Sequence, residues 1–201
     1  MKKGWYKGSE YPYFLTNTVV EWKPIFISHP YIKSVIEAFR FFQREKAVLL
    51  LAFVVMPTHL HYIVSLAKSD LNLSAFQRDF KKWIARALFR LLKDEAKGGP
   101  YPVEDVFLKA GIVRKESPDS LIDLLRKEGK KVGQGFKLWR VDENPEALAS
   151  RTFFYQKVKY IHNNPVKAGY VRRASDYPYS SARNHELDDQ KLIKVDGEWL
   201  E

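Results

Sequence analysis

Apolar and polar positions change period several times along the chain, and each change marks a predicted element. Tyr13 to Val20 is rich in aromatic and β-branched residues and predicts a strand. Trp22 to Ile27 predicts a second short strand after a bend. From Pro30 to Lys46 the apolar positions Ile32, Val35, Ile36, Phe39 and Phe42 follow helical spacing, with Pro30 suited to the first turn. Ala47 to Met56 is a continuous apolar run that reads as a buried strand, Pro57-Thr58 turns the chain, and His59 to Leu66 reads as a further strand. A second helix is predicted from about Ser74 to Lys93, with Ser74 as its N-cap and Phe76, Phe80, Ile84, Ala87, Leu88 and Leu91 as its apolar stripe.

Residues 95–136 read as an insertion, with Gly98-Gly99-Pro100, mixed charges and a short helical pattern from Ser117 to Lys130. Phe136 to Val141 predicts another strand, and a third long helix runs from about Glu146 to Asn163, stopped by Pro165. An aromatic turn at Asp176 to Ser181 and a last strand near Leu192 to Val195 close the pattern. Helices interleaved with strands, and hairpin-like neighbours between Ala47 and Leu66, predict an α+β sandwich on a mainly antiparallel sheet. A chain of 201 residues suits one domain, residues 1–201, carrying the insertion at about 95–136.

Composition narrows the chemistry. There is no cysteine, which excludes disulfides, thiolate metal sites, iron–sulfur clusters and cysteine nucleophiles. The longest apolar run, Ala47 to Met56, is too short to span a bilayer, and the N-terminus lacks the apolar stretch of a secretion signal, so the expected compartment is the cytoplasm with no membrane partner. Thirty-four Lys and Arg against 24 Asp and Glu give a net charge of +10, and 14% of residues are aromatic. That combination suits a polyanion with stackable bases, and equally a basic protein with no nucleic-acid partner. Arg78, Lys82, Arg86 and Arg90 recur at i+4 without acidic i+4 partners, either a solvated face or a row that tracks phosphate.

Of the five histidines, His59 and His61 stand two apart in a predicted strand and therefore project from one face, while Leu60, Tyr62 and Val64 project from the other. Two neighbouring imidazoles are what a metal requires, although such pairs also arise by chance in strands. No nucleophile elbow, phosphate-binding glycine loop or dinucleotide fingerprint is present. In the third long helix Phe154, Val158 and Ile161 form the core stripe, with Tyr155 close to it as a packing residue. Tyr160 falls away from that stripe, and Asn164 stands four residues on, on the same face if the helix lasts that far. The pair reads either as a nucleophile with a metal ligand, or as a helix end with an Asn-Pro stop.

These residues carry a resemblance. Met56-Pro57-Thr58-His59-Leu60-His61 resembles the Met-Pro-Asn-His-hydrophobic-His signature of single-tyrosine HUH transposases. The run Tyr160 to Gly169 is similar to the Tyr-Ile-His-x-Asn-Pro-Val-Arg-Ala-Gly run of their REP-associated branch, and Tyr177-Pro178-Tyr179-Ser180-Ser181-Ala182 to the segment that follows it. The likeness covers roughly Tyr13 to Asn184 without the insertion. Thr58 stands where the family has Asn and Lys167 where it has Arg, positions that are neither ligand nor nucleophile.

The resemblance implies a ferredoxin-like core. It also implies a divalent metal, Mg²⁺ or Mn²⁺, held by His59, His61 and Asn164, and Tyr160 as the nucleophile that forms a 5′-phosphotyrosine on single-stranded DNA. The implied substrate is an imperfect DNA hairpin with a recognition sequence at its foot, bound by a monomer or homodimer. Arg78, Lys82 and Arg86 are the candidates for backbone contact, and Trp5 and Tyr6 for base stacking. A phenol ordinarily titrates near 10, so activation is needed, and no general base is identifiable. His162 is turned away from Tyr160 and reads as structural, and His29 and His185 have no partner in the sequence. Two other functions use the same residues differently. A His-metal hydrolase would complete the site with a carboxylate or third histidine and use water; a catalytically silent DNA-binding regulator would keep the fold alone.

Overall fold

The computed structural model describes residues 11–67, 72–141 and 144–196. Strand β1 (Tyr13–Thr18), helix α1 (His29–Lys46), strands β2 (Val48–Met56) and β3 (His59–Leu66), and helix α2 (Leu73–Gly98) follow in order. Two short helices come next, α3 (Asp105–Lys109) and α4 (Pro118–Lys130), then a two-residue strand β4 (Glu146–Ala147), the long helix α5 (Arg151–Lys167) and a last short helix α6 (Ala182–Leu187). The sheet runs β2-β3-β1-β4 with every pairing antiparallel, the ferredoxin-like order.

One face of the sheet is covered by α1 and α2. Phe39 of α1 and Phe80 of α2 meet Tyr62 of β3 at centroid distances of 5.4 and 5.3 Å. Each such fully buried ring contributes roughly 1.5–3 kcal/mol of transfer free energy. Helix α5 lies on the other face, against β2 and β3, through Phe154, Val158, Ile161 and Pro165. The two layers are therefore sorted by the two faces of β3: Tyr62 toward α1 and α2, His61 toward α5.

The β2–β3 hairpin closes over Pro57 and Thr58, with Met56 opposite His59. Val19 N–H donates to Thr58 C=O and Phe26 N–H to Pro57 C=O, which fixes that turn against the end of β1. The outer edge of β2 is occupied by the segment after α5: Val55 N–H donates to Tyr179 C=O, and Ser181 N–H to Phe53 C=O, so the edge is not left open for another chain.

Several expected elements differ. Trp22 to Ile27 is not a strand: Val20–Trp22 is a 3-10 turn in which Glu21 and Trp22 have φ of 51° and 54°. The N-cap of α2 is Asn72, which accepts from Ser74 N–H and Ala75 N–H, rather than Ser74. The helix also runs on to Gly98, because Leu92 and Glu95 continue its buried stripe with Leu91 beside it. Glu95 receives Arg114 at 2.6 Å, Tyr101 N–H at 3.0 Å and the Tyr31 hydroxyl, so the segment read as an insertion is anchored by a buried ion pair to the α1–α2 layer. It also adds Phe107, Leu121, Ile122 and Leu125 to the same core.

Phe136 to Val141 forms no strand; Trp139 makes a single bridge to Val19 and its indole N–H donates to Lys81 C=O. Glu146 starts no helix but pairs with Phe14 in the sheet, and Ser150 caps α5 by accepting from Phe153 N–H. Leu192 to Val195 is buried in part but forms no ladder, being held by Asn184 donating to Ile193 C=O and by Asp196 bonding to Leu50. Pro165 does not stop α5. It removes one N–H, yet Asn164 C=O still accepts from Ala168 N–H and Pro165 C=O from Tyr170 N–H, so the last turn survives and Gly169, at φ 75°, ends it.

Candidate active site

Strand β3 presents His59 and His61 on the α5 side, their ring centroids 4.7 Å apart. Each imidazole is oriented through Nδ1. Thr58 Oγ1 lies 2.9 Å from His59 Nδ1, and Thr16 Oγ1, across the β1–β3 ladder, lies 2.8 Å from His61 Nδ1. Phe14 stacks on His61 at 5.5 Å and 22°. The Nε2 atom of His61 is thereby turned toward Tyr160, whose hydroxyl is 3.5 Å away. That is a long contact rather than a strong hydrogen bond.

Because α5 persists through Asn164, Tyr160 and Asn164 share a helix face, one turn apart. The Asn164 side chain interacts with the His59 imidazole while Tyr160 sits beside His61, so the helix delivers one group to each histidine. Burial holds His59 down to about 4, with the Asn164 side chain acting the other way. Burial, then the neighbouring His59 and Lys157, hold His61 down to about 3. Both imidazoles are therefore neutral at pH 7, the form that ligates a cation.

Among the described residues no three His, Cys, Asp or Glu side chains gather as a metal cage. The further polar group beside the histidine pair is the Asn164 carboxamide. Two neutral imidazoles with Nδ1 engaged by hydroxyls, plus one carboxamide, fit a divalent cation that takes further oxygens from phosphate.

Two lysines border the phenol. Lys157 Nζ stands 4.4 Å from the Phe14 ring centroid and 6.0 Å from that of Tyr160, and is paired with Glu146 at 2.8 Å. Lys167 Nζ is 5.9 Å from the Tyr160 centroid. The i−3 spacing of Lys157 from Tyr160, which places the two on one helix face, is the sequence signal for this lysine. Thr16 could not be found that way, since its role depends on the β1–β3 register.

Other candidates lie elsewhere. Arg78, Lys82 and Arg86 are exposed on α2, in the layer on the opposite side of the sheet from His61, and Arg78 is paired with Asp79 at 2.9 Å. Trp5 and Tyr6 fall outside the described residues. Tyr155 is not a packing residue: it flanks the buried stripe with 41% exposure, its ring set edgewise on Phe154. His162 is buried, as its offset predicts, with Nε2 2.8 Å from Ser181 Oγ; His185 Nε2 lies 3.0 Å from Leu51 C=O. His29 Nδ1 lies 3.8 Å from Glu104. No helix among the described residues is long and apolar enough to cross a membrane.

No family model and no curated protein matches this chain. Among solved structures it is similar to a REP-associated tyrosine transposase bound to a REP hairpin. The likeness spans 98% of this chain and 90% of that one, with a TM-score of 0.58 and 18% identity. At that identity the two chains share a fold.

Proposed function

We propose that this protein is a metal-dependent single-stranded DNA endonuclease and strand transferase of the transposase type, with Tyr160 as nucleophile and DNA hairpins as substrates. The observation that carries this reading is the placement of the Tyr160 hydroxyl 3.5 Å from His61 Nε2, with Asn164 one turn on along the same helix face and interacting with His59. Packing alone does not ask for this arrangement, since Tyr160 is 41% exposed. A solved structure with this fold is bound to a REP hairpin, which supports a hairpin as the substrate class.

His59, His61 and Asn164 would hold Mg²⁺ or Mn²⁺. When bound, that cation neutralises non-bridging phosphate oxygens. Tyr160 Oη attacks phosphorus as its proton passes to solvent; the P–O3′ bond breaks, the 3′-oxygen takes up a proton, and the 5′-phosphate remains on Tyr160. A 3′-hydroxyl attacking the same phosphorus reverses the step and restores the phenol, so strands rejoin without a nucleotide cofactor. Lys157 and Lys167 favour the phenolate and the phosphate as charge develops. Phe14, stacked on His61 and edge-on to Tyr160 at 5.9 Å, keeps ring and phenol in mutual register. The exposed row Arg78, Lys82 and Arg86 would follow the DNA backbone at a distance from the reacting phosphate.

A metal hydrolase is less well supported, because the third donor beside the histidines is an amide rather than a carboxylate that could serve as a base for water. The test is a denaturing gel of labelled single-stranded hairpins from the DNA flanking the gene, with Mn²⁺, comparing wild type, Tyr160→Phe and added EDTA. The expected result is a protein-linked DNA band that needs both Tyr160 and metal. Cleavage that persists in Tyr160→Phe would assign the nucleophile to water, and tight binding without cleavage would leave a binding protein.

A further inference from the structure

Where β1 ends, the backbone takes a conformation that side chains of this size rarely adopt. Glu21 and Trp22 both lie in the left-handed region, at φ 51° and 54°. An indole there is a backbone outlier that persists only when its surroundings fix it. Here they do: Trp22 N–H donates to Val19 C=O, Lys23 N–H to Val20 C=O, and Lys23 Nζ to Glu116 at 2.6 Å. Strain in a tight turn is commonly offset by burying the side chain it places. Trp22 is instead 53% exposed, so packing does not account for it.

What the turn accomplishes is position. The indole meets the His59 ring at 6.0 Å and 77°, directly beside the histidine pair. Arg140, brought to the same spot because its N–H donates to Thr18 C=O, sets its guanidinium 5.1 Å from the indole centroid. Among the described residues no carboxylate pairs with Arg140, and its guanidinium is set against the indole.

We infer that Trp22 and Arg140 form a platform for one unpaired nucleobase adjacent to the phosphate that reacts at His59 and His61, the base stacking on the indole and its phosphate facing the guanidinium. This rests on the proposed passage of single-stranded DNA across the histidine pair. A flat, exposed indole takes any base by its π-face, and the arginine adds both cation–π attraction and a phosphate contact. The site would order the strand without reading its sequence.

The test measures binding of the same hairpins to the full chain by fluorescence anisotropy in EDTA, so that no turnover intervenes, with each unpaired nucleotide replaced in turn by an abasic residue. In wild type one abasic position should weaken binding about 5- to 100-fold. Trp22→Ala should lose the same factor on intact DNA and show no further loss at that position. Trp22→Gly, which relieves the left-handed backbone, should keep or raise the melting temperature and still lose binding, separating the platform from folding. Additive losses at every position, or no binding of any hairpin, would overturn the inference. Adduct formation measured alongside keeps the two readings apart. An adduct with purely additive losses leaves the chemistry standing without the platform, and coupling without an adduct leaves the platform without the chemistry.

Discussion

Thr16 and His61 stand opposite each other in the β1–β3 ladder, and the threonine hydroxyl meets His61 Nδ1 at 2.8 Å. That bond leaves Nε2 as the free nitrogen and fixes the ring plane from behind, as outer groups do for histidine ligands. Thr16→Val keeps the shape and removes the bond. It should lower Mn²⁺ affinity about 10- to 100-fold, measured by calorimetry on the full chain, with only a small change in urea midpoint. Unchanged Mn²⁺ affinity would show that Phe14 stacking alone orients the ring.

Asn164 shares a face with Tyr160 and comes to His59 because α5 persists through it. If the carboxamide is a ligand, Asn164→Ala should weaken Mn²⁺ binding by about tenfold or more, equivalent to about 1.4 kcal/mol. Asn164→Asp should restore or exceed wild-type affinity, because a carboxylate adds charge to the same donor position. Should both variants bind Mn²⁺ as wild type does, Asn164 is a polar neighbour of His59 and not a ligand.

The cationic row on α2 tests how far DNA extends from the site. Arg78, Lys82 and Arg86 are exposed in the layer opposite α5, and Arg78 already has Asp79. Replacing all three by Gln should reduce the slope of log affinity against log salt by about 2, since each phosphate contact contributes about 0.7–0.9. Adduct yield at saturating DNA should not change. A slope equal to wild type would leave the row as a solvated helix face.

Much of the frame was legible because its signals are local. The apolar run before Pro57, the period-two placement of His59 and His61, and the helical stripe Phe154, Val158, Ile161 each depend on neighbours within one element. What escaped depends on contacts between distant segments. The left-handed turn at Glu21 and Trp22 is held from Glu116 and Val19, the two-residue β4 exists only as a partner of β1, and Phe136 to Val141 yields its ladder to a single bridge. Tyr155 stands about 100° round the helix from Phe154, a rotation that carries it from the buried stripe to its exposed flank. The α2 row was legible as a row, but which side of the sheet it faces was not, because that follows from the packing of Phe80 on Tyr62.

Ala47 offers a stability test remote from the site. It caps α1 in the left-handed region, at φ 48° and ψ 41°, with its N–H donating to Phe42 C=O. Glycine adopts this conformation without the Cβ penalty, and the position is where helices commonly end on glycine. Ala47→Gly should stabilise the fold by up to about 1 kcal/mol, the lost strain being partly offset by the greater freedom of the unfolded chain. A fall in urea midpoint at unchanged slope would mean that the entropy term wins here.

Buried histidines make the fold sensitive to acid. His162 is buried against Ser181 and beside His185, and burial first, then His185, holds it down to about 3; His185 is also lowered, chiefly by burial. An unfolded histidine titrates near 6.5. Above that pH neither state of the chain binds the proton and the group contributes no pH dependence. As pH falls below it, the unfolded chain takes up a proton that the folded chain refuses, so stability falls by at most about 1.4 kcal/mol per pH unit for each such histidine. Between pH 6.5 and 5 the loss assigned to His162 is at most about 2 kcal/mol. His59 and His61, also lowered, add to the slope in the wild type, so the informative comparison is a variant. His162→Gln keeps a hydrogen-bonding group toward Ser181 without a titrating ring. Urea unfolding in EDTA at pH 7, 6 and 5 should show it less stable than wild type at pH 7 and a shallower decline toward pH 5. Parallel declines in the two proteins would mean that His162 takes up its proton in the folded state as readily as in the unfolded one.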